Sequence, residues 1–115
     1  MAQEWMLKTL VDFGFEQRDA ELYVYLALNG PKKAKDISSA LKIYERKIYR
    51  TLKKLQNRNI VNVTLEIPAI FSVISLDKLL DLLAKSSLEE AQKIEREKDR
   101  VLMLWKTNVK HNTID

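Results

Sequence analysis

Arg46, Lys47, Arg50, Lys53 and Lys54 are five cations within nine residues, spaced so that most of them share one side of a helix. Guanidinium and ammonium groups in that pattern can hold phosphates, and an arginine fork also matches the O6 and N7 acceptors of guanine. The surrounding stretch strengthens the reading. Residues 31–60 contain ten basic side chains, with Lys32, Lys33, Lys35, Lys42 and Arg58 completing the set, against only Asp36 and Glu45, a net charge of +8. The remainder of the chain sums to −4, so the whole carries +4. Charge concentrated on one short segment of an otherwise neutral-to-acidic chain is the footprint of a polyanion binder.

The elements beneath these cations follow from periodicity. Ile48, Leu52 and Leu55 fall within about 60° of one another on a helical wheel, which predicts one narrow apolar stripe on a helix from Tyr44 to Asn57. Lys53, Arg46, Asn57 and Arg50 lie opposite the stripe, at about 140–200° from Ile48, and Lys54 and Lys47 at about 240–260°. Such a helix suits a major groove, about 12 Å wide. A shorter helix, Ala34 to Leu41, is expected before it, burying Ile37, Ala40 and Leu41, with a turn at Lys42-Ile43. If that turn needs positive φ, Lys42 there costs roughly 1 kcal/mol, as for any residue with a Cβ.

Upstream, Trp5, Met6, Leu10 and Phe13 recur at helical spacing until Gly14. A second helix is predicted from about Arg18 to Leu28, with Leu22, Tyr25, Leu26 and Leu28 buried, and Asn29-Gly30-Pro31 ends it. Downstream, Ile60–Leu65 alternates and Ile70–Val73 pairs with it across Glu66-Ile67-Pro68-Ala69, a hairpin. Its tip has no cation. From a Ser75 N-cap to about Asn108 neither Gly nor Pro occurs, which predicts a helix of about 33 residues and about 50 Å. A globule of about 75 residues is only about 22 Å across, so this helix is expected to project. Leu80, Ala84, Ser87, Ala91, Ile94, Lys98, Val101 and Trp105 step along it by 4 and 3, a heptad seam interrupted by two polar residues. Such a stripe asks for a partner, and a second copy is the simplest. Residues 110–115 read as frayed.

The fold class is therefore mainly α with a small β-hairpin: a winged helix-turn-helix over residues 1–74, then a long dimerisation helix and tail over 75–115. Asp12-Phe13-Gly14-Phe15, Ala20–Leu28, Gly30-Pro31, Ala34-Lys35-Asp36-Ile37 and Ile48–Leu55 before Ile60-Val61 carry a resemblance, in order and spacing, to the N-terminal domain of the TrmB family of transcription regulators. The resemblance covers about residues 7–75 and implies double-stranded DNA as the partner. Two departures stand out: Lys42 where such turns often have Gly, and a wing tip without Arg or Lys. Longer family members carry a sugar-binding domain after the long helix. The 115 residues here stop before it, so sugar sensing is not expected of them.

These readings compete with plainer ones. Most runs of Lys and Arg are solvated helix faces. Here the short helix before, the hairpin after and the lack of balancing acids reverse those odds. Arg46 and Arg50 are then assigned to base edges, and Lys47, Lys53, Lys54, Lys32, Lys33 and Lys35 to phosphates. Tyr44 is a weaker DNA candidate, because a helix that includes it turns it toward the buried side. Tyr49 can stack on sugar or pack on the hairpin, and Lys32, Lys33 and Lys35 can equally be a solvated loop at a helix N-terminus. Leu80, Ala84, Ala91, Ile94, Val101 and Trp105 are the dimerisation candidates, and Trp5 and Trp105 read as dimer packing.

Enzymatic chemistry is not expected. There is no cysteine, the one histidine is His111 in the tail, and no phosphate loop or metal-ligand spacing occurs, so neither metal nor cofactor is implied. No apolar run reaches the ~18–20 residues needed to cross a bilayer. A cytoplasmic protein without a membrane role is the expectation. The rival readings are a winged-helix adaptor that recruits a protein, and an architectural nucleic-acid binder indifferent to sequence.

Overall fold

The computed structural model describes residues 2–109, and the expectations for the tail and His111 lie outside them. Two compact units are present, residues 1–80 and 81–115. The first holds α1 (Ala2–Asp12), α2 (Gln17–Asn29), β1 (Lys32–Lys33), α3 (Ala34–Leu41), α4 (Glu45–Asn57), β2 (Val61–Val63) and β3 (Ile70–Val73). The second is formed by α5 (Leu76–Asn108) beyond its first turn. This is a mainly helical winged helix-turn-helix with a long C-terminal helix, as the residue pattern predicts.

Helix α2 is the hub. It touches α1, α3, α4 and β3, and its buried residues are Asp19, Ala20, Leu22, Tyr23, Val24 and Leu26. On a wheel they fill an arc of about 200°, which leaves Tyr25 and Leu28 outside it. The predicted stripe is thus corrected. Leu28 is exposed and Tyr25 half-buried, while Tyr23 and Val24 take the core positions. Tyr23 also donates its hydroxyl to the Ile74 carbonyl at 2.8 Å, tying α2 to the end of the sheet. Burial, and secondarily the charge of Asp77, push the Tyr23 phenol above its ordinary pKa. In α3 the expectation for Ala40 is also corrected: it is exposed and Leu41 half-buried, with Ala34 and Ile37 inside.

The sheet has three strands, one more than the hairpin predicted, in the antiparallel order β1-β3-β2. Lys32 and Lys33 form the added edge, opposite Phe71 and Ile70. Two residues flanked by Gly-Pro and a helix carry no alternation from which a strand can be read. The hairpin itself pairs Val61 with Val73 and Val63 with Phe71. Thr64 closes it, since its backbone N–H donates to the Ile70 carbonyl and its Oγ1 accepts from the Ile70 N–H, both at 3.0 Å.

Three helices end in the same way. The N–H groups of Phe15, Ile43 and Ile60 reach back to the carbonyls of Leu10, Ser38 and Leu55, with Gly14, Lys42 and Asn59 at φ 99°, 57° and 62° between them. This is the Schellman cap, which needs one residue at positive φ. Glycine accepts that conformation and asparagine tolerates it. Lysine does not without strain. Lys42→Gly should therefore stabilise the fold by roughly 0.5–1 kcal/mol, a few degrees in Tm, after the extra unfolded-state freedom of glycine is subtracted. Urea denaturation checks this. A higher midpoint at constant slope is the expected result, and an unchanged midpoint refutes the strain.

Gly30 differs from these caps. At φ 82° and ψ −175° it occupies a region essentially restricted to glycine. It lets the chain leave α2 and enter β1 within two residues, which sets Lys32 and Lys33 beside the wing.

Candidate nucleic-acid interface

Helix α4 is seated by Ile48, Leu52 and Leu55, each fully buried. Burial of each such side chain contributes about 1.5–3 kcal/mol relative to exposure. Thr51 is buried with them and donates its hydroxyl to the Lys47 carbonyl at 3.0 Å. Glu45 in the first turn complements the helix dipole. The opposite side of α4 presents Arg46, Lys47, Arg50 and Lys53, all exposed. Among the described residues none of these four has a carboxylate within ion-pair distance.

The two tyrosines are now placed. Tyr44 is the N-cap of α4 with extended backbone, and it is 81% exposed. The expectation that it turns inward is corrected, because α4 begins one residue later and the Tyr44 side chain does not follow the helical wheel. Tyr49 packs edge-on against Phe71, ring centroids 6.2 Å apart, and stays half-exposed. Phe71 is the strand residue opposite Val63 at the tip end of the hairpin and opposite Lys32 on the other edge. One aromatic contact thus joins α4, the wing and the β1 lysines. Lys33 and Lys35 are exposed and Lys32 half-buried. The wing tip carries Leu65 and Ile67, both essentially fully exposed, and no cation.

Lys54 stands apart from the free set. Its Nζ lies 2.9 Å from Asp19 Oδ2 and 3.2 Å from Glu16 Oε2. Burial lowers the pKa of its ammonium, but hydrogen bonds to Asp19 and Glu16 outweigh that and hold it above the ordinary lysine value. One turn further, the Arg58 guanidinium sits 5.2 Å from the centre of the Phe15 ring, within cation–π range. Phe15, Glu16 and Asp19 are contributors that the sequence reading passed over. A signal existed, since Asp19 lies three, four and seven residues before Leu22, Tyr23 and Leu26. An acid on a buried stripe needs a cation.

On α5, the seam residues Leu80, Ala84, Ala91, Ile94, Val101 and Trp105 are all exposed. Trp5 of α1 is exposed as well. Among the described residues no helix is long and apolar enough to cross a membrane.

Comparison with solved structures gives the same architecture. TrmBL2, described as an archaeal chromatin protein with a novel mode of DNA binding, aligns over the whole of this chain and 47% of its own at TM-score 0.69 and 17% identity. A possible transcriptional regulator of Methanosarcina mazei covers 76% of this chain and 80% of its own, at TM-score 0.62 and 16% identity. The Zα domain of Carassius auratus PKZ, solved with Z-DNA, covers 50% of this chain and 94% of its own at TM-score 0.50 and 24% identity. At such identities the likeness is one of fold. No curated protein is similar enough to the sequence to count as a relative. The family model described as sugar-specific transcriptional regulator TrmB, however, matches residues 10–77, from the end of α1 through α4 and the wing to the start of α5. That match spans more than half of the sequence and includes every element just built around α4, and the chain belongs to the TrmB family of transcriptional regulators.

Proposed function

We propose that the chain is a homodimeric, sequence-specific double-stranded-DNA-binding regulator, with residues 1–74 as the DNA-reading module and 75–115 as the dimerisation arm. One observation carries this reading: four α4 cations, exposed and without an acidic partner among the described residues, lie opposite a fully buried aliphatic stripe. In it, α4 enters the major groove. Arg46 and Arg50 address base edges, while Lys47, Lys53, Lys33, Lys35 and the half-buried Lys32 hold phosphates. Tyr44, exposed at the mouth of α4, is placed to meet the backbone. Lys54 is left out because Asp19 and Glu16 already hold it. No phosphate contact is assigned to the wing tip.

Affinity for duplex should fall with salt. Six to ten phosphate contacts per dimer correspond to a loss of about 10³–10⁵ between 50 and 200 mM salt. Fluorescence anisotropy with a labelled duplex measures it, and a flat response eliminates α4 as the binding face. Selection of bound sequences from a random duplex pool tests specificity, with half-sites expected one helical turn apart, about 10 bp.

A second reading takes the chain as an architectural binder indifferent to sequence. Its support is the likeness over the full chain to TrmBL2, described as a chromatin protein. Unrelated duplex competing as well as any selected sequence would establish that alternative.

A further inference from the structure

Asp19 is a buried carboxylate for which the proposed DNA contacts have no use. It is 2% exposed in the first turn of α2. A buried carboxylate is strongly unfavourable unless a cation meets it, so its partner is held tightly. That partner is Lys54 of α4, with Glu16 as a second, exposed acceptor. On the helix Lys54 follows Lys47 and Arg50 by seven and four residues, in the row that faces outward from the aliphatic stripe. Without the two acids it would extend the cationic row by one turn. Glu16, Asp19, Arg50, Thr51 and Lys54 also line one open depression. Within it Glu16 and Asp19 are taken by Lys54, Glu21 also lines the depression without an ion pair among the described residues, and Arg50 has no acidic partner there.

We infer that Asp19, seconded by Glu16, is a positioning residue for DNA reading: it removes Lys54 from the phosphate-binding set, fixes the roll of α4 on α2, and leaves Arg50 free for a base edge. The inference rests on the proposed DNA reading and deepens it. The α4 cations are divided between DNA and scaffold. Arg46, Lys47, Arg50 and Lys53 face the partner, while Lys54, with Arg58 over Phe15 beyond it, clamps the end of the helix to the 15–19 segment. Asp19 thereby lowers non-specific attraction and raises discrimination, because a loose lysine beside Arg50 would hold any duplex alike.

The salt dependence of duplex binding separates this from a purely structural role, since each phosphate contact contributes about 0.9 to the slope of log K against log salt. Asp19→Asn together with Glu16→Gln keeps both side-chain shapes and removes both acidic partners of Lys54, so the slope should steepen by about 0.9 per chain, with a smaller affinity ratio between a selected and an unrelated duplex. The double variant Asp19→Asn/Lys54→Met should return the slope to the unsubstituted value, whereas Lys53→Met should lower it by about 0.9 per chain. Lys54→Met alone strands a buried acid, so the double variant carries the comparison, with thermal melting to verify its fold. A slope left unchanged by Asp19→Asn together with Glu16→Gln overturns the inference. So does a double variant that falls below the unsubstituted protein by as much as Lys53→Met does, because Lys54 is then a phosphate ligand. If the unsubstituted protein itself shows no salt dependence, the DNA reading fails before this question arises.

Discussion

Arg50→Ala should weaken binding to a selected duplex by about 1–3 kcal/mol and abolish the preference at one base pair, while unrelated duplex loses far less. The expectation follows from what Arg50 lacks. It is exposed on α4, and among the described residues no carboxylate pairs with it, so its fork of donors is available without breaking an internal contact. Arg46 lies one turn earlier, about 6 Å along the axis, or nearly two base-pair steps. In the proposed binding mode the two forks would address separate positions of one half-site. Arg50→Lys separates charge from geometry. An ammonium keeps the phosphate attraction and the salt slope, but cannot present two parallel donors to guanine O6 and N7. Retained affinity for unrelated duplex with lost discrimination is the expected pattern. Lys53→Ala should instead weaken all duplexes by similar factors and lower the slope by about 0.9 per chain. If Arg50→Ala also weakens every duplex equally, Arg50 is a phosphate contact and the base-reading role passes to Arg46.

What the sequence made legible was what periodicity and punctuation dictate. Ile48, Leu52 and Leu55 placed α4 to within one residue, and the absence of Gly and Pro after Ser75 gave α5 its full length. Gly14, Gly30 and Asn59 mark points where the backbone takes positive φ, and the two glycines are read directly as breaks. Failures came where tertiary neighbours decide. Tyr25 and Leu28 look as apolar as Tyr23 and Val24, but α2 is covered by four elements over an arc that only the assembled fold defines. Strand β1 is two lysines whose strand character exists only because Phe71 and Ile70 lie beside them. The Asp19–Lys54 pair joins residues 35 positions apart, and a charge census over 31–60 could not see that an acid outside that window claims one of its cations. Counting charge locates a basic face. It does not say which cations are spent within the fold.

The second large effect belongs to α5. Ile94, Val101 and Trp105 are 67%, 58% and 58% exposed in a single chain, with Leu102 and Leu104 exposed on the two flanks of their stripe and Leu88 and Met103 exposed outside it. Water-facing aliphatics in that number on one helix are unfavourable unless another surface covers them, and the 4-and-3 spacing of the seam matches a second copy of the same helix. Ile94→Asp combined with Val101→Asp should yield a monomer by sedimentation equilibrium, since two like charges per chain would face their counterparts across the seam. The helical content of α5 should fall with it, because an isolated helix without a covered face has little to hold it. On DNA the consequence is a loss of linkage between half-sites. Affinity for a two-half-site duplex should drop by about 10²–10⁴, the range that effective concentration ordinarily supplies, while affinity for a single half-site stays at its original value. Lys98→Leu should act in the opposite sense. It removes a polar residue from the seam whose only partner among the described residues is Glu95, at 4.0 Å on the same helix, so the dimer should persist to lower concentration. A double aspartate variant that remains dimeric would move the interface elsewhere, and the exposed Trp5 of α1 names the next surface to alter. A variant that loses half-site affinity too would mean that α5 supports the fold of the DNA-reading module and not only its pairing.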